Sequence, residues 1–182
     1  MLDDAFTPVL EAARAGAEWA WRRLYEDLSG QVLGYMRRQG AHDAEDLLGE
    51  VWLQVARNIG TFDGDEANFR SWIFTVAHHR VIDERRRSGR RREEPVPQLP
   101  ETASEDVAAR SALDSIATDR VQSLLDRIAP AQRDVLLLRI VGGLTVAEVA
   151  EALDKRPGAV KALQRRGLEA LRRLLEREGV SL

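Results

Sequence analysis

Apolar residues recur at spacings of three and four along nearly the whole chain, and alternating runs rich in β-branched residues are scarce. The pattern predicts an all-α protein of roughly nine helices. In DAEDLLGEVWLQVARNIGTF, a helix beginning near Asp43 turns Leu47, Leu48, Val51, Val55 and Ile59 inward. Asp46, Glu50, Leu53 and Arg57 share its opposite face. ANFRSWIFTVAHHRVIDERRRSGRRR predicts a second helix that opens aromatic and ends densely basic. Further on, VQSLLDRIAPAQRDVLLLRIVGG reads as two helices parted near Pro130 and closed by Gly142–Gly143. Leu124, Leu125, Ile128, Val135, Leu136 and Leu138 supply their core.

The segment LTVAEVAEALDKRPGAVKALQRRGLEALRRLL is the most specific in the chain. Thr145 and Glu148 form a capping box, in which hydroxyl and carboxylate each satisfy a free backbone N–H at a helix start. Val146, Val149, Ala150 and Leu153 repeat on one face, and Asp154 to Arg156 make a short turn. Pro157 then sits in the first turn of the next helix, where its missing N–H costs nothing. That helix carries Val160, Leu163, Gly167, Leu171 and Leu174 on one stripe, with Lys161, Arg165 and Arg172 opposite. The arrangement is that of a helix-turn-helix.

A helix laid in the major groove presents its N-terminal residues to base edges. Lys155, Arg156, Gly158, Ala159, Lys161, Ala162, Arg165 and Arg166 are therefore the candidate duplex-reading residues. Arg and Lys can read guanine, and small alanines permit close approach to thymine methyls. The alternative is a helical hairpin whose basic face is merely solvated. In the upstream acidic helix, Leu53 is apolar among charges, either a protein-docking residue or a stray leucine on a wet face. Phe69 and Trp72 at helical spacing are either core residues or platforms for unpaired bases beside phosphate-binding arginines.

Charge divides the chain further. The net charge of −3 over 182 residues conceals blocks of −6 from Ala41 to Glu66, +4 from Asp83 to Arg92, −6 from Glu93 to Asp119 and +6 from Lys155 to Arg177. Anions are thus attracted at two separate places. Between them SGRRREEPVPQLPETAS, residues 88–104, holds three prolines and little apolar content, the composition of a linker. We expect two small helical domains, 1–87 and 105–182, joined by a flexible acidic linker, with the helix-turn-helix in the second.

Zero cysteines exclude disulfides and thiolate metal sites. The adjacent His78 and His79 point about 100° apart on a helix, which makes a shared metal ion awkward. No catalytic constellation, metal site, cofactor or Gly-rich phosphate loop is expected. No apolar run approaches the roughly 18–20 residues that span a bilayer. The acidic amphipathic start, MLDDAFTPVLEAARAG, is unlike a secretory signal, so a cytoplasmic protein without membrane insertion is expected.

DAEDLLGEVW, then FRSWIFTVAHHRVIDERRR, then the helix-turn-helix, in this order and around a Pro-containing acidic linker, resemble bacterial RNA polymerase sigma factors of the extracytoplasmic-function (ECF) group in the sigma-70 family. The resemblance covers essentially the whole chain. It implies a promoter-specificity subunit, not itself an enzyme, that binds core polymerase through the beta-prime clamp helices and the beta flap. Asp43, Glu45, Asp46, Glu50, Leu53 and Arg57 would meet the clamp helices. The Gly60–Asn68 loop and the basic–aromatic helix, with Asn68, Phe69, Arg70, Trp72, His79, Arg80, Arg86 and Arg87, would bind and open the −10 element. The helix-turn-helix would read the −35 element, and an anti-sigma protein is a further partner the family implies. His79 stands where the family often has Asn. Ala159, Ala162 and Leu163 replace two hydroxyls and an Arg of the common recognition-helix pattern, so the preferred −35 sequence does not transfer from relatives. A relaxed 17-residue linker spans roughly 23 Å, against roughly 50 Å between two such elements. The expectation is a compact free protein whose linker polymerase draws out.

Two rival readings are a stand-alone helix-turn-helix regulator and a metal-dependent hydrolase. The first leaves the basic–aromatic helix without a role. The second lacks convergent ligands.

Overall fold

The computed structural model describes residues 5–91 and 120–179. Among them every regular element is helical: α1 (Phe6–Arg14), α2 (Glu18–Arg38), α3 (Ala44–Asn58), a 3-10 turn (Ile59–Thr61), α4 (Glu66–Arg91), α5 (120–126), α6 (Pro130–Ile140), α7 (Val146–Ala152) and α8 (Pro157–Arg177). Helix α4 runs through Ser88–Arg91, which the sequence pattern assigned to the linker. The remainder of the expected linker, and residues 105–119 of the expected second domain, lie outside the described residues.

Helices α1 to α4 form one bundle in which α3 and α4 each pack on α2 and on each other. Leu47, Leu48, Val51, Val55 and Ile59 are all buried and Asp46, Glu50, Leu53 and Arg57 all exposed, as a 3.6-residue repeat requires. Each fully buried aliphatic side chain contributes about 1.5–3 kcal/mol. The α3–α4 loop is pinned by aromatic packing: the Phe62 ring stacks on Trp72 at 5.3 Å and meets Phe69 edge-on at 5.2 Å. Arg14 Nε also donates to the Ile59 carbonyl at 3.1 Å.

In the second half, α8 packs across α6 and α7. The capping box forms as expected: Glu148 N–H donates to Thr145 Oγ1 at 3.2 Å, and Thr145 N–H donates to Glu148 Oε2 at 2.6 Å. Asp154 takes the turn between α7 and α8 with φ 49°, a left-handed conformation that Asp tolerates better than most side chains. Gly143, at φ 72°, ends α6 in the same region.

The two halves share one apolar core. α2 packs on α6 and α4 on α7, and Tyr35 and Phe74 belong to the same buried cluster as Leu136 and Leu138.

Candidate nucleic-acid interface

Three surfaces carry the residues expected to bind. The first is the outer face of α3. Leu53 is 58% exposed, flanked along the helix by exposed Glu50 and Arg57. Asp43 and Asp46 are exposed as well, and Glu45 pairs with Arg37. Hydrogen bonding from Arg37 holds the Glu45 carboxyl below the usual carboxylate range. Asp43 precedes the helix without capping it through its side chain. Glu84 of α4 holds the segment that enters the helix, its Oε1 accepting from the N–H groups of His42 at 3.1 Å and Asp43 at 3.3 Å. Nothing in the local spacing announces Glu84, because it lies about 40 residues from the groups it satisfies.

The second surface is α4 with the loop before it. Asn68 is exposed but engaged in the helix start: its Oδ1 accepts from Asp65 N–H at 3.1 Å, and its own N–H donates to Asp65 Oδ1 at 2.8 Å. Phe69 is fully buried, so in this conformation it is core and stacks on no base. Trp72 is half-buried against Phe62. Arg70 faces the second half of the molecule, where Nε donates to the Gly142 carbonyl at 2.6 Å and Nη2 to the Val141 carbonyl at 3.1 Å. Arg80 donates to Gln54 Oε1 at 2.6 Å and lies 3.5 Å from Glu50, joining the α3 and α4 surfaces. His79, Arg86 and Arg87 are exposed on the outer face of α4. Of the eight residues assigned to this surface, these three and Asn68 are exposed, Arg86 lying 3.7 Å from Asp83. The periodicity could not separate them from Phe69 and Arg70, since Phe69 is covered by Phe6, Phe62 and Trp72 of its own bundle and Arg70 by the carbonyls of Val141 and Gly142 in the other half.

The third surface is α8. Lys155, Arg156, Gly158, Ala159, Lys161, Arg165 and Arg166 are all exposed and Ala162 is half-buried, while Val160 and Gly167 face the core. No Cβ contact lies within 4 Å of the position a Gly158 side chain would take, so the start of α8 is open to a close-approaching ligand. The helix dipole favours anions there, while Pro157 has no N–H and the Ala159 and Val160 N–H groups already donate to the Arg156 carbonyl at 2.9 and 3.2 Å. Among the described residues no group of three or more His, Asp or Glu side chains could hold a metal ion. None of their helices is long and apolar enough to cross a membrane.

Behind the α4 surface lies a polar chain that sequence reasoning did not find. Gln39, fully buried, donates from Nε2 to Tyr35 Oη at 3.2 Å and to Asp134 Oδ1 at 3.0 Å. Tyr35 Oη lies 2.9 Å from His78 Nδ1, and Arg85 Nη2 donates to Gln39 Oε1 at 2.9 Å. Burial pushes the His78 imidazole down to about 4, with Asp134 opposing that shift. Burial also raises the Tyr35 phenol and lowers the Arg85 guanidinium. Asp134 is separated from Gln39 by 95 positions, so neither residue's neighbours foretell the pair.

Described residues that are helical throughout their regular elements, with an acidic helix, a basic helix beside it and a helix-turn-helix with a basic face, have the form of a DNA-binding transcription protein. Residues 22–91 match the sigma-70 region 2 family and residues 118–171 the sigma-70 region 4 family. The chain is 35% identical over 174 residues to the ECF RNA polymerase sigma factor BldN of Streptomyces coelicolor, covering 92% of this chain and 64% of BldN. It therefore spans a little under two thirds of that relative's length. It is 30% identical over 179 residues to the ECF RNA polymerase sigma factor SigD of Mycobacterium bovis, covering 94% of this chain and 84% of SigD. The fold is similar to that of CnrH, solved in complex with the cytosolic domain of CnrY, with a TM-score of 0.68 and 20% identity over 93% of this chain and 96% of CnrH. The chain belongs to the ECF sigma factors of the sigma-70 family. Sigma factors are specificity subunits of RNA polymerase and not themselves enzymes.

Proposed function

We propose that this chain binds core RNA polymerase through the outer face of α3 and directs transcription initiation at promoters whose −35 element is read by α8 and whose −10 element is engaged and opened by α4. It acts in the cytoplasm, where polymerase and chromosome are. Asp43, Glu45, Asp46, Glu50, Leu53 and Arg57 make the polymerase contact, with Leu53 as its apolar anchor. Lys161 and Arg165 are the strongest candidates for base edges in the duplex, and Lys155, Arg156 and Arg166 for phosphates. His79, Arg86 and Arg87 meet the −10 strand first. Opening a base step costs a few kcal/mol, which captured bases and backbone contacts offset without a nucleotide-binding site. An anti-sigma protein, expected from the family resemblance, is the second partner.

The observation that best supports this reading is the pairing of a solvent-exposed Leu53 among acidic residues with an exposed basic cluster, Lys161, Arg165 and Arg166, near the start of α8. A docking surface and a duplex-reading surface on one small chain suit a subunit that brings a larger enzyme to DNA. A stand-alone regulator has no use for the first. Runoff transcription with core polymerase, this protein and a randomised promoter library should yield transcripts from a restricted set of upstream sequences. Failure to initiate on any member overturns the reading.

A further inference from the structure

We infer that Arg14, at the end of α1, is a positioning residue for the −10 element, its guanidinium holding the loop between α3 and α4 in the shape that the strand meets. The inference rests on the assignment of α4 and the Gly60–Asn68 loop before it to the −10 element. It gives a role to α1, which carries none of the residues assigned to polymerase or DNA.

The loop leaves α3 through the 3-10 turn Ile59–Thr61 and enters α4 at Glu66. Its two ends are fixed locally. Thr61 Oγ1 donates to the Asn58 carbonyl at 2.9 Å, and Asp65 and Asn68 form their reciprocal pair at the other end. Gly64 lies at φ 144°, where a Cβ would come within 2.8 Å of the Asn68 side chain, so the backbone there admits glycine only. The middle of the loop is held from α1. Arg14 Nε donates to the Ile59 carbonyl at 3.1 Å and Nη2 to the Phe62 carbonyl, so one planar guanidinium ties the first residue of the turn to the first residue beyond it. Phe6 of the same helix packs on Phe69 at 5.5 Å, and Phe69 in turn meets Phe62 edge-on. The main packing partner of α1 is α2, so the Arg14 side chain reaches beyond its own helix pair to the loop.

Charge does not explain what this loop offers a nucleic acid. Residues 59–69 carry Asp63, Asp65 and Glu66 and no basic residue, so the loop repels phosphate. Its contribution to strand binding comes from shape. A loop that has to be ordered on binding loses affinity to that ordering, and a loop ordered in advance discriminates more sharply between sequences. Hydrogen bonds from a charged donor are stronger than those between neutral groups, which suits them to pinning an exposed backbone. Arginine is the fitting residue, since its rigid fork reaches two carbonyls at once where lysine offers one point charge.

The test uses the full chain, alone and with core polymerase. Hydrogen exchange read by mass spectrometry reports on the loop: in Arg14→Ala the peptide covering residues 59–65 should exchange about tenfold faster, with peptides from α8 unchanged. Runoff transcription reports on its use. On a library randomised only at the −10 element, the preference for the best sequences over the average should fall about fivefold, while preference on a library randomised only at the −35 element stays as in the wild type. Less folded protein lowers transcription from every promoter and changes neither preference; that outcome overturns the assignment, as does a folded Arg14→Ala variant with unchanged loop exchange. Arg14→Lys keeps the charge without the fork, and should recover the −10 preference only as far as it recovers loop protection. A restored preference over a loop that still exchanges fast assigns the effect to charge and overturns the positioning role. If Arg14→Ala fails to fold by circular dichroism, Arg14→Gln takes its place in both measurements. Faster loop exchange in a chain that initiates at no promoter would leave Arg14 as the residue that holds the loop and remove the sigma-factor function.

Discussion

At His78 a neutral imidazole completes a one-way relay of hydrogen bonds. Gln39 donates to the Tyr35 oxygen, so the Tyr35 hydroxyl proton is free to go to His78 Nδ1. A second proton on the ring would turn Nδ1 into a donor and leave the phenol without an acceptor in a site closed to water. Burial is the main cause of the lowered His78 value, with Asp134 raising it and His79 and Arg85 lowering it. The sign follows from linkage: between about 6.5 and about 4 the unfolded chain binds the proton and the folded chain does not, so stability is full above that window and falls as pH drops through it. The whole fall amounts to about 3 kcal/mol. Urea unfolding followed from pH 7 to pH 5 should show a declining midpoint in the wild type and a flatter one in His78→Asn, whose amide oxygen still accepts from Tyr35. An equal decline in both would assign the pH dependence to other groups.

Among the elements, α7 is the shortest helix with both ends described and the one whose formation depends most on its ends. Few of its backbone groups have partners within the helix, and the Thr145–Glu148 box supplies two of the missing bonds at its start. Because α7 supports α8 from behind, its position sets the angle at which the reading face is presented. Thr145→Ala should cost about 0.5–2 kcal/mol in thermal or denaturant unfolding. It should also weaken promoter-duplex binding in the holoenzyme although Thr145 touches no base. Helix α4 shows the converse. Its start is held by Asp65 and Asn68 in a reciprocal pair, and its arginine-rich stretch is helical as far as Arg91, the last described residue before the prolines that begin at Pro95. Arginine is a good helix former, so basic composition alone does not mark a linker.

Across the whole molecule the proposed polymerase surface on α3 and the proposed reading face on α8 belong to different helices with separate packing partners. Single substitutions should therefore separate their functions. Lys161→Ala should weaken binding to promoter duplex in the holoenzyme while leaving association with core polymerase unchanged. Leu53→Ala should do the reverse, reducing core affinity by about 1–3 kcal/mol if this exposed leucine fills a pocket on the partner. Fluorescence titrations with core enzyme and with duplex check the two arms. Equal loss of both activities in either variant would show that the surfaces are wrongly assigned.

Helical periodicity, caps and charge blocks by themselves determined the all-helical class, the inward faces of α3 and α8, the α7–α8 turn and the exposed basic side of α8. All of these are local, since a helix closes its hydrogen bonds within four residues and exposes faces at fixed spacing. Only the tertiary structure decided that Phe69 is core, that Arg70 meets the carbonyls at the end of α6, that Glu84 holds the segment entering α3, and that Gln39 meets Asp134. Each of these joins positions distant in the chain, and a side chain that fits solvent and partner equally well takes its role from whatever the fold places opposite it. For Arg70 that is a helix terminus from the other half of the molecule, which no repeat within its own helix could specify.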